Sequence, residues 1–259
     1  VLRSVQAVVE QAVREVVREP IVLMGASRTD SGVHAGGVFP NAPSFGDLAG
    51  TPGGQVAAFT TQGNATDGRG WPESRGLEPL VRAINSRLPD DVLIQSAELV
   101  ADGFDPIGDC IGKGYSYTIH AGPVRPLWSR RTAFWCRHAL DLSRMQEAAT
   151  HFVGEHDFAG FAAIGHGRTS TVRTILHLAV SELPAALDAG RSIVIGISGT
   201  GFLYNMVRIV GGTLVDVGMG RIEPGDLPEI IASRDRRRAG PTLPPEGLKL
   251  DWIMYERSR

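Results

Sequence analysis

The chain has 259 residues, of which 42% are hydrophobic, and its formal net charge is −2 at pH 7. This composition excludes a disordered protein, since the chain is long enough to bury one large core or two lobes around a cleft. No apolar stretch approaches the roughly 20 residues that cross a bilayer, and the first residues lack the apolar segment of a signal peptide. We therefore expect a cytoplasmic protein with no membrane partner.

Hydrophobic periodicity predicts helices and strands that alternate along the chain. Ser4 is a suitable N-cap for a helix whose apolar residues recur at helical spacing up to Pro20, and the short apolar run 21–24 predicts a strand. A second helix is predicted between Leu77 and Leu88, and residues 92–100 follow as a β-rich run. Further strands are predicted at 113–120, 171–183, 192–198 and 249–255, and further helices at 142–153 and 204–217.

This order of elements predicts an α+β fold, with a mostly antiparallel sheet, helices on one face and two similar halves. We expect an N-terminal half at residues 1–120 and a C-terminal half at 121–259. Segments 36–54 and 61–76 are rich in glycine and polar residues and predict loops.

The distribution of charge and the use of cysteine limit which partners and metals the chain is expected to bind. Arginines cluster at 125–137 and again at 234–238, so a locally basic cleft is compatible with a net charge near zero, although the second run is also typical of a solvated helix end. Cys110 and Cys136 have no Cys-x-x-Cys or Cys/His spacing, which favours neither zinc nor a disulfide framework. No metal is expected.

The segment 25–35 is the most informative part of the chain. Asp30 lies between the cation Arg28, the hydroxyl of Ser31 and the turn residue Gly32, directly after the predicted strand 21–24. Such a loop can hold a reactive carboxylate, although a Thr-Asp-Ser-Gly tetrapeptide taken alone is more often a simple turn.

Seven further segments accompany this loop in a fixed order. Together with it they closely resemble the signature of the TruA-type tRNA pseudouridine synthases, and they span nearly the whole chain. The segments are Val5–Gln6, Gln55–Phe59, Lys113–Tyr117, Gly154–Phe158, Ser170–Ile175, Gly201–Arg208 and Ala239–Thr242.

The resemblance implies the pseudouridine synthase fold, with two halves around a central basic cleft, and an isomerase that needs no cofactor. Its reaction breaks the glycosidic bond of uridine, rotates the uracil and joins C5 to C1′. Asp30 is implied as the catalytic nucleophile, and three routes are open to it: attack on C1′, proton abstraction towards a glycal, or attack on C6 of the base. The implied substrate is the anticodon stem-loop of tRNA at positions 38 to 40, bound by a homodimer.

The resemblance also implies partners for Asp30. Arg208 is expected to pair with it and keep it ionised, and the helical spacing allows Arg208 to avoid bulk solvent. Tyr115 is implied to stack on the flipped uracil, although an aromatic residue in a strand is more often part of the core.

Four residues are implied to contact the RNA. Arg28 and His34 border the Asp30 loop, and His34 could equally hold the turn. Lys113 alternates with Tyr115 on one strand and is either a phosphate contact or a solvated cation. Arg173 is either an RNA contact or one member of a structural ion pair.

The sequence departs from the family pattern at three places. The family's opening strand is not found before Val5, so we expect a sheet strand to be missing; Phe104 is followed by Asp105 and Pro106 in place of an arginine-containing segment; and residues 36–54 replace a short link. These departures keep an RNA-binding or RNA-chaperone protein of the same fold open as an alternative. A magnesium-dependent hydrolase or phosphotransferase is less favoured, because no second aspartate follows Asp30 by two residues.

Overall fold

The computed structural model describes residues 4–36, 51–52, 54–61, 69–163, 169–184 and 190–256. Within these ranges the chain forms five α-helices, ten strands and short 3-10 turns, in an α+β fold. The helices are α1 Val5–Val17, α2 Leu77–Asn85, α3 Leu142–Thr150, α4 Met206–Gly218 and α5 Leu227–Ser233. The strands are β1 Met24–Gly25, β2 His34–Ala35, β3 Thr51–Pro52, β4 Ala57–Ala58, β5 Cys110–Ala121, β6 Phe134–Cys136, β7 Gly154–Asp157, β8 Val172–Leu183, β9 Arg191–Gly199 and β10 Leu248–Tyr255.

The described chain divides into two compact units. The first unit, Val1–Arg28 with Val56–Cys110, contains α1, α2 and the two-stranded antiparallel sheet of β1 and β4. Ser4 caps α1 by accepting a hydrogen bond from the Ala7 N–H at 3.2 Å, as the sequence predicted. The core of the first unit is built from one face of each helix and from residues outside the helices. Its members are Val9, Ala12, Val13, Val17, Ile21, Leu23, Trp71, Leu80 and Ile84.

Two strand predictions in the first unit are wrong. Of the predicted strand 21–24 only Met24 pairs with another strand, in β1 with Gly25, and residues 92–100 form no strand. The apolar residues of the first run are nevertheless partly buried, with Ile21 and Leu23 in the core. In the second run Leu93, Leu99 and Val100 are exposed, and the backbone of Ile94 is hydrogen-bonded to the Asn85 side chain instead of to a strand.

The second unit, Thr29–Gln55 with Ile111–Arg259, is built on an eight-stranded sheet. The strand order is β2-β10-β5-β9-β8-β7, with β3 paired to β10 and β6 paired to β5. Pairing is mostly antiparallel, as predicted, but β10 and β2 are parallel, and so are β5 and β6. The sheet is therefore mixed.

The predicted long elements of this unit are confirmed. β5, β8, β9 and β10 match the four predicted strands to within three residues at each end, and α3 and α4 match the two predicted helices equally closely. Helix α4 is buried almost all round, and its Gly211 lies against Tyr117 of β5 and Ile195 of β9, which pair across the sheet. The similarity of the halves 1–120 and 121–259 stays a prediction.

Most of the two predicted loops lies outside the described residues. Residues 37–50, 53 and 62–68 of these loops lie outside the described ranges. Thr51 and Pro52, predicted as loop, pair with Ile253 and Trp252 of β10. Glu73–Arg75, also predicted as loop, forms a 3-10 turn. Cys110 and Cys136 are not joined to each other by a disulfide. The described helices include none with the length and apolar character needed to cross a membrane.

Candidate active site

Asp30 lies on a tight turn that is fixed at both ends. The Val33 N–H donates to the Asp30 carbonyl at 3.0 Å, and Gly32 has a φ of 85°, a conformation that glycine adopts without strain. A Cβ on Gly32 would stand 3.0 Å from the Cγ of Pro245, so the turn also packs tightly against the segment that precedes β10. The Asp30 side chain keeps 35% of its surface exposed. A carboxylate held in this way is fixed in position and open to a ligand.

Arg208, in the first turn of α4, makes an ion pair with Asp30. Its Nη1 lies 3.0 Å from Asp30 Oδ2, and only 15% of the arginine side chain is exposed. The same Nη1 donates to Asn205 Oδ1 at 2.7 Å, and Nε donates to the Leu243 carbonyl at 2.7 Å. Three acceptors therefore hold one guanidinium, which fixes its position beside the carboxylate. The predicted pairing is present in the structure.

The segment 239–247 supports this arrangement from the other side. The Gly240 N–H donates to Thr213 Oγ1 on α4 at 2.9 Å, and the Leu243 N–H donates to the Arg208 carbonyl at 3.2 Å. Leu243 is thus bonded to Arg208 through both its N–H and its carbonyl. The matched motif Ala239–Thr242 has a physical role here, because it fixes the carbonyl that orients Arg208.

Two tyrosines on the same face of β5 have different surroundings. Tyr115 is 8% exposed, and its ring meets Phe202 edge to face at a centroid distance of 5.3 Å. Tyr117 is completely buried and donates its hydroxyl proton to the Pro244 carbonyl at 2.7 Å. Burial raises the pKa of Tyr117 far above its usual value, and Glu246 adds to the rise. Tyr117 therefore supports the 239–247 segment through its hydrogen bond to Pro244.

The four predicted RNA contacts lie on different elements of the chain. His34 lies in β2, where its Nε2 is 2.7 Å from the Arg131 carbonyl, and Lys113 is half-buried in β5. Arg173 donates through Nη1 to the Ser170 carbonyl at 3.1 Å. Arg28 is exposed and belongs to the first unit. The RNA-binding roles of all four stay predictions.

Asn205 and Leu243 are site residues that the sequence reasoning missed. Asn205 precedes α4 with a φ of 61°, in the left-handed region that asparagine tolerates better than most residues. The position of Asn205 three residues before Arg208 was the sequence signal that could have identified it as a site residue. Leu243 acts through its backbone, so its side chain carried no signal.

The two oxygens of Asp30 differ in what they contact. Oδ2 accepts from Arg208, whereas no described residue hydrogen-bonds to Oδ1. One oxygen is thus anchored and the other is presented to a ligand, which suits nucleophilic attack. Among the described residues, no group of three or more His, Cys, Asp or Glu side chains is arranged to hold a metal ion.

Comparison with known proteins places these residues in a family. Residues 148–256 match a family model described as tRNA pseudouridine synthase. The chain is 36% identical over 252 residues to the tRNA pseudouridine synthase A of Geotalea uraniireducens, covering 97% of this chain and 90% of that protein. It is 38% identical over the same length to the Pelobacter propionicus enzyme of that name, with the same coverage. The Shouchella clausii enzyme is 37% identical over 256 residues, covering 98% of this chain and 85% of that protein.

Proposed function

Because this chain belongs to the tRNA pseudouridine synthase A family, we propose that it isomerises uridine to pseudouridine in tRNA with Asp30 as the nucleophile. The observation that carries this proposal is the contact between Asp30 Oδ2 and Arg208 Nη1 at 3.0 Å. It pairs the family's aspartate with the family's arginine inside one unit of the fold. The intact pair of Asp30 and Arg208 favours an enzyme over an RNA chaperone of the same fold.

The proposed reaction begins with attack of Asp30 Oδ1 on C1′ of the target uridine. The bond from C1′ to N1 breaks, its electron pair leaves with the uracil, and an ester links the ribose to Asp30. The uracil then turns so that C5 attacks C1′, which breaks the ester and returns the carboxylate. The C5 proton is then lost and N1 of the uracil takes up a proton, which completes pseudouridine, so the sequence of steps balances without a cofactor.

Arg208 and Tyr115 are proposed to assist at different stages. Arg208 stabilises the carboxylate before attack and after its release, since its guanidinium is held beside Oδ2. Tyr115 presents an aromatic face to the flipped uracil and offsets part of the stacking free energy that the base loses on leaving its helix. Phe202 fixes the Tyr115 ring by its edge-to-face contact.

The finer features of the family are proposed on the resemblance of the motifs. We expect the target uridines at positions 38 to 40 of the anticodon stem-loop, contacts to RNA from Arg28, His34, Lys113 and Arg173, and a cytoplasmic homodimer with no metal requirement. Mapping pseudouridine by position in unmodified tRNA incubated with the protein tests the target, and sedimentation tests the oligomeric state.

The decisive experiment replaces Asp30 by asparagine. Asp30→Asn keeps the size of the side chain and removes the charge needed for attack, so pseudouridine formation should fall below detection in single-turnover assays with enzyme in excess. The affinity for tRNA should survive, because it depends mainly on contacts to many phosphates.

The matched control is Asp226→Asn, which removes an exposed carboxylate in the same unit. We expect this variant to retain the parental rate. A near-parental rate in Asp30→Asn would make Asp30 a structural turn residue and overturn the proposed mechanism. Absence of pseudouridine with the parent protein would favour the alternative, an RNA-binding protein without catalysis.

A further inference from the structure

The connection between β5 and β6, residues 122–133, is basic and carries an exposed aromatic side chain. It contains Arg125, Arg130 and Arg131 and no aspartate or glutamate. The side chain of Trp128 is 71% exposed, and its neighbour Leu127 is 61% exposed. A large apolar ring that stays on the surface among cations is unusual and marks an interaction site. We refer to residues 122–133 as the β5–β6 loop.

Hydrogen bonds order the β5–β6 loop. At its base, the Gly122 N–H donates to the Cys136 carbonyl at 3.0 Å, and the Trp135 indole donates to the Gly122 carbonyl at 2.9 Å. Near its tip, the Thr132 N–H donates to the Ser129 carbonyl at 2.9 Å. The exposed Trp128 therefore projects from a folded turn. Because the loop is already ordered, binding a partner costs it little conformational entropy.

The loop is tied to the chain segment that carries Asp30. His34 Nε2 lies 2.7 Å from the Arg131 carbonyl, and His34 follows Asp30 by four residues. Four residues of fully extended chain span at most about 14 Å, so the loop is anchored to a residue whose backbone lies within that distance of the Asp30 backbone. All of these residues belong to the second unit.

The charges favour RNA over a second copy of the chain as the occupant. Within the described residues, Arg125 and Arg131 have no acidic partner, and they flank Trp128 along the loop. Two copies that met through this loop by two-fold symmetry would bring like charges together, whereas RNA supplies phosphates for the arginines and bases for the indole. We propose that the β5–β6 loop binds the tRNA beside the target uridine, with Trp128 stacked on an unpaired base and Arg125 and Arg131 on the phosphates. This inference rests on the proposed function, since it takes tRNA as the substrate.

The test compares Trp128→Ala with Trp128→Phe in the Asp30→Asn background, where no turnover disturbs the measurement. Loss of one base–aromatic stack should raise the Kd for an unmodified anticodon stem-loop about 5- to 150-fold in Trp128→Ala. Trp128→Phe should retain most of the affinity, because phenylalanine still has a face for stacking. Val124→Ala removes another exposed apolar side chain of the same loop and is the matched control; its Kd should stay at the parental value.

A fully paired RNA duplex of the same length separates stacking from charge. The Trp128→Ala effect should be present with the stem-loop and absent with the duplex, which offers no unpaired base in a loop. An unchanged Kd for the stem-loop would overturn the inference. So would a change in sedimentation mass on mutation of Trp128, which would identify a second copy as the occupant.

The same assays distinguish a failure of this inference from a failure of the proposed function. If the parent forms pseudouridine and Trp128→Ala does not change RNA binding, the RNA-binding role of the loop is rejected and the proposed function stands. If Trp128→Ala loses RNA binding but the parent forms no pseudouridine, the RNA-binding role of the loop is supported and the catalytic proposal is rejected.

Discussion

The guanidinium of Arg208 is positioned by geometry as well as by charge. It donates from two different nitrogens, to the Leu243 carbonyl through Nε and to the Asp30 and Asn205 side chains through Nη1. A lysine carries the same charge on one nitrogen and cannot reproduce this fork. The conservative substitution therefore tests whether the position of the donors matters to catalysis.

We expect Arg208→Lys to lower kcat/KM by about tenfold to a hundredfold, the effect of losing one hydrogen bond to a charged group worth about 1.5 to 3 kcal/mol. Single-turnover rates measure the loss, and urea unfolding measures any accompanying change in stability. Arg221→Lys is the control, because it alters a more exposed ion pair with Asp216 that is worth about 0–1 kcal/mol. Equal reductions in kcat/KM in the two variants would show that the fork does not matter.

At the scale of elements, α4 and the segment 239–243 approach each other backbone to backbone. A Cβ on Gly212 would overlap the Pro241 carbonyl, and a Cβ on Gly240 would lie 2.5 Å from the Thr213 nitrogen. Only glycines allow this approach, and it brings the Leu243 carbonyl to Arg208. The packing of two backbone segments thus controls the orientation of the Arg208 side chain, which is proposed to act in catalysis.

We expect Gly212→Ala to push the 239–243 segment away from α4 and to reduce the free energy of unfolding by about 1–3 kcal/mol. Turnover should fall further than this loss of stability explains, because Arg208 loses an acceptor. Gly225→Ala is the matched control, since nothing lies within 4 Å of its Cβ. Parental turnover in a folded Gly212→Ala protein would contradict the link between this packing and the site.

At the scale of the molecule, the arginines of the two clusters differ in their acidic partners among the described residues. In the cluster 234–238, three side chains are engaged in ion pairs: Arg234 with Asp157, Arg237 with Asp235, and Arg238 with Glu229. Hydrogen bonds from Arg237 hold the pKa of Asp235 at about 2. Arg236 donates to the Gly240 carbonyl at 2.8 Å and so supports the 239–247 segment. The arginines of the run 234–238 are thus engaged within the fold, three of them in ion pairs and Arg236 in a hydrogen bond to the backbone.

The salt dependence of tRNA binding should therefore come from the first cluster, at 125–137. Neutralising Arg125 and Arg131 to glutamine should reduce the slope of log Kobs against log salt by roughly 0.7 to 0.9 for each phosphate that the protein no longer binds. Neutralising Arg237 and Arg238 in the same way should leave the slope unchanged, because their charges are already paired. Binding titrations from low to moderate salt measure both slopes, and the reverse result would assign the phosphates to the second cluster.

The local patterns of the sequence were sufficient where one element dictates its own structure. The capped helix after Ser4 and the long strands β5, β8, β9 and β10 were predicted, because hydrophobic periodicity over eight or more residues reports burial directly. The motifs also named Asp30 and Arg208, and the structure brings them to 3.0 Å.

Only the tertiary structure decided which extended runs became strands and what holds the site together. Residues 92–100 look like a strand but have no pairing partner among the described residues, and no local pattern reports a missing neighbour. Leu243 orients Arg208 from 35 positions away through its backbone. A backbone carbonyl is the same in every residue, so no sequence pattern could report this contact. The sequence by itself determined which groups are proposed to react, whereas the close packing of distant segments decided how those groups are held.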